Sequence, residues 1–357
     1  MKQVKILIIR VRRVGDAILS ESICSTLKKS IPNSVIHFLV YDFMADLFRD
    51  DPNIDKVISI NQKESHSFFK HFKKAYQLMR KERYDIIIDL RSTINTLPFS
   101  LFSLGAKYRI GQKKAYNFLI HNHRIDTFKN ENYIDQKLSL LDPLAEHYNI
   151  IKSKDFKIYI KQHEVEAFRS KMKAAGINFD YPVVIATVTT RVEHKRYPIE
   201  YMEEILSRVL KTYPDLQIIF NYGDAVEKEQ AYEIYQHLGC PKNIFIDLEA
   251  KDLRELGAMI PNCDYLFGNE GGPRHLAQAL GIPSMAYFSP GSSYKQWLPN
   301  LGEDNQALSH ENIYTPEESK LLSHDEKRYS VLPELVWKRL KIKLDEAEKE
   351  NIKKYNS

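Results

Sequence analysis

Three short stretches gather the residue types that chemistry needs. In Arg10-Val11-Arg12-Arg13-Val14-Gly15-Asp16, one carboxylate stands among three guanidinium groups at the end of an apolar run. A carboxylate so placed can take a proton as a general base while the arginines hold an anion. The plainer reading is a turn at Gly15 and a helix cap at Asp16. The second stretch, Gly268-Asn269-Glu270-Gly271-Gly272-Pro273-Arg274-His275, opens a helix that Gly281 should end. Its glycines let backbone amides approach a ligand, and the positive end of the helix dipole favours an anion such as a diphosphate. A purely structural Gly-Gly turn would leave Glu270, Arg274 and His275 around it unexplained. The third stretch, residues 187–198, carries hydroxyls at Thr189 and Thr190 and cations at Arg191, Lys195 and Arg196. These can clamp phosphate oxygens, or they form a solvated basic loop.

All three stretches lie where apolar runs end. Runs at 4–11, 35–41, 56–60 and 84–90 alternate with helical stretches in the first half, and runs at 183–188, 216–222, 243–248, 265–267 and 284–288 restart the pattern in the second. Such alternation predicts parallel sheets covered by helices, hence two doubly wound α/β domains. Ligands of such sheets sit at the carboxyl ends of the strands, where these loops fall. Leu19, Ile23 and Leu27 repeat every four residues from Asp16 onward, and Lys28 and Lys29 close a helix there. The expected division is an N-terminal domain over 1–174, a linker at 174–182 around Gly176 and the turn-like 178–182, and a C-terminal domain over 183–330. Val336, Leu340 and Leu344 then mark one amphipathic helix within 331–357.

The 357 residues are 43% hydrophobic and 28% charged, the balance of a globular protein with room for two cores. The apolar run at 4–11 is broken by Lys5 and Arg10 and followed by Arg12 and Arg13. It reads as neither a signal peptide nor a spanning helix, so a cytoplasmic protein is expected. Cys24, Cys240 and Cys263 are scattered, which predicts no structural metal and no disulfide framework. Net charge is +5, suited to an anionic ligand or an anionic membrane surface and short of a nucleic-acid-binding domain. Neither GxGxxG nor GxxxxGK[ST] follows any apolar run, which removes nicotinamide dehydrogenases and P-loop kinases.

Together these features resemble glycosyltransferase family 9, the ADP-heptose:lipopolysaccharide heptosyltransferases, over nearly the whole length. The resemblance rests on Gly15-Asp16, on residues 84–91 ending in Arg91, on Tyr108-Arg109-Ile110-Gly111, on Lys195-Arg196-Tyr197-Pro198 and most specifically on residues 268–281. It implies the GT-B architecture, two Rossmann-like domains facing a cleft, with the acceptor held by the N-terminal domain and the nucleotide-sugar by the C-terminal one. It also implies inverting, metal-independent transfer without a cofactor, from an ADP-linked heptose or related donor to a glycolipid at the inner membrane surface. Carried over by position, Asp16 is the general base, and Lys195 neutralises charge on the departing diphosphate beside the amides of Gly271 and Gly272. Thr189, Thr190, Arg191, Asp224, Glu270 and His275 fall to the donor, and Arg10, Arg12, Arg13 and Arg91 to the acceptor.

The chain departs from the family in three places. Glu270 stands where the family usually has Asp, and Gly271 where it usually has Ser or Thr. Where a glutamate often follows two residues beyond a glycine, this chain has Gly223-Asp224-Ala225, leaving Asp224 or Glu227 to substitute. These differences leave the donor sugar open. Lys70, Lys73, Lys74, Arg80, Lys81, Lys113 and Lys114 can meet acceptor anions or an anionic leaflet, or simply solvate a helix face. Two other functions fit the same architecture: a nucleotide-sugar 2-epimerase, which turns over donor alone, and a non-catalytic sugar-binding protein, against which the missing signal peptide argues.

Overall fold

The computed structural model describes residues 3–63 and 68–356, and the chain divides into two units after Ile160. Unit 1 holds β1 (Val4–Ile9), α1 (Val14–Ser30), β2 (Ser34–Tyr41), α2 (Asp42–Ala45), β3 (Lys56–Ile60) and α3 (Phe68–Glu82). It continues with β4 (Ile86–Asp89), α4 (Leu97–Leu101), β5 (Tyr108–Gln112), β6 (His123–Ile125) and α5 (Tyr133–Leu138). Its sheet runs β3-β2-β1-β4-β5-β6, parallel at every pairing. Chain order reverses between β1 and β4, the switch point at which a doubly wound sheet opens a crevice at its carboxyl edge. β1 and β4 are buried on both faces, which is why Ile6 to Ile9 and Ile86 to Ile88 read as unbroken apolar runs.

Unit 2 begins with α6 (Gln162–Ala174), followed by β7 (Val183–Thr187), α7 (Ile199–Thr212), β8 (Gln217–Phe220), α8 (Ala225–His237) and β9 (Ile244–Phe245). Then come α9 (Leu253–Met259), β10 (Tyr265–Asn269), α10 (Gly272–Ala279), β11 (Ser284–Tyr287), β12 (Asn305–Leu308) and a C-terminal helix, Pro333–Asn356. The order β12-β11-β10-β7-β8-β9 repeats the topology of unit 1, with its switch point between β7 and β10. Both units are therefore Rossmann-like, as the sequence predicts.

Two boundaries differ from the expected division. α6 belongs to unit 2 rather than to a first domain ending at 174, because it packs on α9. Glu164 Oε2 takes Arg254 Nη2 at 2.6 Å, and Asn262 Nδ2 donates to the Val165 carbonyl at 3.0 Å. Residues 151–160 carry no helix or strand and lie along α1, with Thr26 Oγ1 accepting from Ser153 N. The C-terminal helix is no separate piece either. Val336, Leu340 and Leu344 are buried in the core of unit 2, and Tyr213 donates its hydroxyl to Asp345 at 2.5 Å.

Candidate active site

In unit 1 the carboxyl end of β1 delivers Arg10 and the first turn of α1. Asp16 lies in that turn and is buried, with Arg10 Nη2 at 2.5 Å from its Oδ2. Arg13, not Asp16, occupies the N-cap, and Gly15 is absent from the glycines with positive φ. The turn-and-cap reading of Gly15-Asp16 therefore fails: Asp16 sits inside the helix, where its charge meets the positive end of the dipole.

The three arginines separate. Arg10 is buried and stacks 5.6 Å above the Tyr133 ring, whereas Arg12 and Arg13 are exposed. Burial alone would lower the Arg10 pKa, but Tyr133, Asp16 and Asp89 outweigh it and raise it. Arg10 is thus held by Asp16 within unit 1, and Arg12 and Arg13 are the cations of this loop that face solvent. Across the switch point, Asp89 Oδ1 at the end of β4 accepts from Arg91 N at 3.0 Å and Ser92 N at 2.7 Å. Arg91 Nη1 then donates to the Val11 carbonyl at 2.9 Å, tying the two loops together. Burial, with Arg12 and Arg10 nearby, lowers the Arg91 pKa.

Sequence reasoning missed Lys137 and Tyr133 on α5. Lys137 is buried, its Nζ lies 5.0 Å from the centre of the Tyr133 ring, and burial followed by the Arg10 charge pushes its pKa down to about 7. The two residues stand at i and i+4 of one helix, hence on one face. A lysine in register with Leu140 and Leu141 was the available signal.

In unit 2 the three remaining loops meet the carboxyl ends of β7, β8 and β10. Thr189 is buried just past β7, Thr190 and Lys195 are half-buried, and Arg191 is exposed. Asn269 fastens this loop to β10: its Oδ1 accepts from Tyr197 N at 2.7 Å and its Nδ2 donates to the Thr187 carbonyl at 3.0 Å. Gly268, at φ +135, is the position where only glycine fits, since a Cβ would stand 2.4 Å from the Thr187 carbonyl oxygen.

Gly271 is the N-cap of α10, with an extended backbone at φ 176, and Pro273 occupies the first turn as predicted. Glu270 and His275 face each other there, Oε1 to Nε2 at 3.3 Å. Burial alone would raise the Glu270 pKa, but His275, Arg274 and Lys195 outweigh it and hold the carboxyl below its usual range. Arg274 packs inside unit 2. It is fully buried, donating to Gln278 Oε1 at 2.9 Å and the Trp297 carbonyl at 2.8 Å, and burial lowers its pKa to about 10.

Asp224 and Glu227 differ in their hydrogen bonds. Asp224 is the N-cap of α8, accepting from Glu227 N at 2.9 Å. Glu227 Oε2 accepts from Gly223 N at 2.7 Å, and the carboxylate also takes a backbone hydrogen bond from Arg191. Glu227 therefore bridges the β8 loop and the β7 loop, and Asp224 caps α8.

Two Rossmann-like units, each with charged loops at the switch point of its sheet, are the GT-B architecture. The family model described as glycosyltransferase family 9 (heptosyltransferase) matches residues 72–326, and the chain belongs to that family. Lipopolysaccharide heptosyltransferase 1 of Campylobacter coli is 26% identical over 303 residues, covering 82% of this chain and 85% of the relative. A glycosyl transferase family 9 structure from Veillonella parvula superposes with a TM-score of 0.82 at 18% identity, covering 97% of this chain and 99% of that one. The E. coli ADP-heptose lps heptosyltransferase II structure gives 0.77 at 19% identity, covering 96% and 99%.

Proposed function

We propose that this enzyme transfers a heptose or related sugar from an ADP-linked donor to the core of lipopolysaccharide, inverting the anomeric centre and using no metal ion. Asp16 takes the proton from the acceptor hydroxyl as that oxygen attacks the anomeric carbon. The bond to the diphosphate breaks, and the nucleotide leaves with the electron pair. Lys195 and the amides at the start of α10 stabilise the departing charge, a task for fixed cations and dipoles. Glu270, His275, Thr189, Thr190 and Glu227 position the donor, and Arg91, Arg12 and Arg13 offer cations to an anionic acceptor.

The observation that carries this reading is the burial of Asp16 in the first turn of α1 at the switch point of unit 1, held by Arg10 at 2.5 Å. Residence in the cytoplasm, with peripheral contact at the inner membrane surface, follows from a lipid-linked acceptor. The test is mass spectrometry of envelope glycolipid from a deletion strain, paired with incubation of purified enzyme, donor and that truncated glycolipid. Loss of one heptose in the strain and its restoration in vitro are expected. Turnover of donor alone, without glycolipid, would instead identify an epimerase.

A further inference from the structure

We propose that one face of unit 1, built from α3, α4 and residues 116–120, docks on an anionic lipid leaflet. The inference rests on the glycolipid acceptor proposed above and assigns the surface that brings the enzyme to it. Among the described residues no helix is long and apolar enough to cross a membrane.

α3 presents three stripes. His71, Ala75, Met79 and Glu82 are buried against the unit at spacings of four and three. Phe69, Phe72 and Tyr76, at i, i+3 and i+7, form a second stripe beside them, and Phe69 is 84% exposed. Lys70, Lys73, Lys74 and Lys81 are exposed on the third, and Arg80 lies 5.9 Å from the Tyr76 ring centre. A helix with an aromatic edge and a lysine-rich face is the pattern of segments that lie in the plane of a bilayer interface.

The aromatic stripe continues into neighbouring segments. Phe72 and Tyr76 pack edge-on against Phe102, just past α4, at 5.9 and 5.4 Å. Arg109 then staples the next turn to the 116–120 segment, donating from Nη1 to the Leu104 carbonyl and from Nε to the Ile120 carbonyl, both at 2.7 Å. Leu101 and Leu104 on one side of this staple and Phe118 and Leu119 on the other are all exposed, Leu119 by 76%. Lys107 and Lys113, immediately before and after β5, are exposed. Exposed apolar side chains together with exposed lysines match an anionic leaflet in both charge and polarity. The face also borders the reaction loop, because the Tyr116 hydroxyl donates to the Ser92 carbonyl at 2.9 Å, one residue from Arg91.

The test is sedimentation of the full chain with vesicles of phosphatidylethanolamine and phosphatidylglycerol, and with phosphatidylcholine vesicles as the neutral control. The wild type should pellet with the anionic vesicles and be released by high salt. The triple variant Phe69→Ser, Leu104→Ser, Leu119→Ser, all at exposed positions, should lose at least about tenfold in partitioning. Its transfer to a detergent-dispersed acceptor should match the wild type, which separates failure of docking from failure of the proposed reaction. Unchanged partitioning of the variant, or equal binding to neutral vesicles, would overturn the proposal. So would a wild-type dimer in analytical ultracentrifugation that the variant dissociates, since the face would then be a contact between copies of this chain.

Discussion

Glu21→Gln should change the pH dependence of stability by an amount that the structure sets. Glu21 lies on α1, five residues beyond Asp16, and is almost completely buried. Its carboxyl accepts from Lys157 N at 3.0 Å and from Asn53 Nδ2 at 3.0 Å. Burial, reinforced by the Asp51 charge, raises its pKa from 4.5 to about 8. Between those two values the folded chain keeps a proton that the unfolded chain has released. Stability from this group is complete below the unfolded pKa and is lost as pH rises through the folded one. The slope cannot exceed about 1.4 kcal/mol per pH unit. From about pH 5 to about pH 7.5 the loss is roughly 3 kcal/mol. Glutamine cannot ionise, so the variant should gain about that much on the wild type over the same interval. Asp51, raised to about 6 mainly by burial, titrates in both proteins with the same sign. Urea unfolding read by pulse proteolysis at several pH values gives the difference directly. A gap between variant and wild type that stays constant with pH would refute the assignment of a protonated Glu21.

Lys137→Met should act with the opposite sign, because the folded pKa of about 7 lies below the ordinary 10.5. The wild type should gain stability relative to the variant as pH rises from about 7 to about 10, and equal slopes in urea titrations would count against a neutral buried lysine. Gly268→Ala forces a Cβ to within 2.4 Å of the Thr187 carbonyl oxygen at φ +135, costing about 1–3 kcal/mol of backbone strain. Thermal melts should show a clear drop in Tm together with weaker nucleotide binding, whereas Gly105→Ala, with nothing within 4 Å, should leave both unchanged. Lys195→Ala should lower kcat by roughly one to three powers of ten, in steady-state assays with saturating donor, through loss of one charge contact to the leaving group. Unchanged kinetics would assign its loop to solvent.

The fold was legible where strands are buried on both faces. The runs at 35–41 and 183–188 match β2 and β7 within a residue, because central parallel strands are continuously apolar; the run at 56–60 matches β3, an edge strand whose Val57, Ile58 and Ile60 alternate with exposed Lys56 and Ser59 only in part. β5 and β6 escaped because Arg109, Gly111, His123 and Arg124 interrupt their pattern. β12, Asn305–Leu308, escaped because it is an edge strand with two polar residues out of four. At the site, the loops could be read and the division of labour within them could not. Residue type alone did not distinguish Arg10, paired with Asp16, from the exposed Arg12 and Arg13, nor the capping Asp224 from the bridging Glu227. Lys137 was hidden because it comes from α5, far along the chain from the loop it neighbours in space.

The central claim is that Asp16 is the base of a sugar transfer, and Asp16→Asn tests it with least disturbance of shape. Initial rates with ADP-heptose and heptose-deficient lipopolysaccharide core should fall by about a thousandfold, while calorimetric binding of ADP to unit 2 stays within about twofold of the wild type. Turnover within about tenfold of the wild type, with the fold intact, would contradict the account.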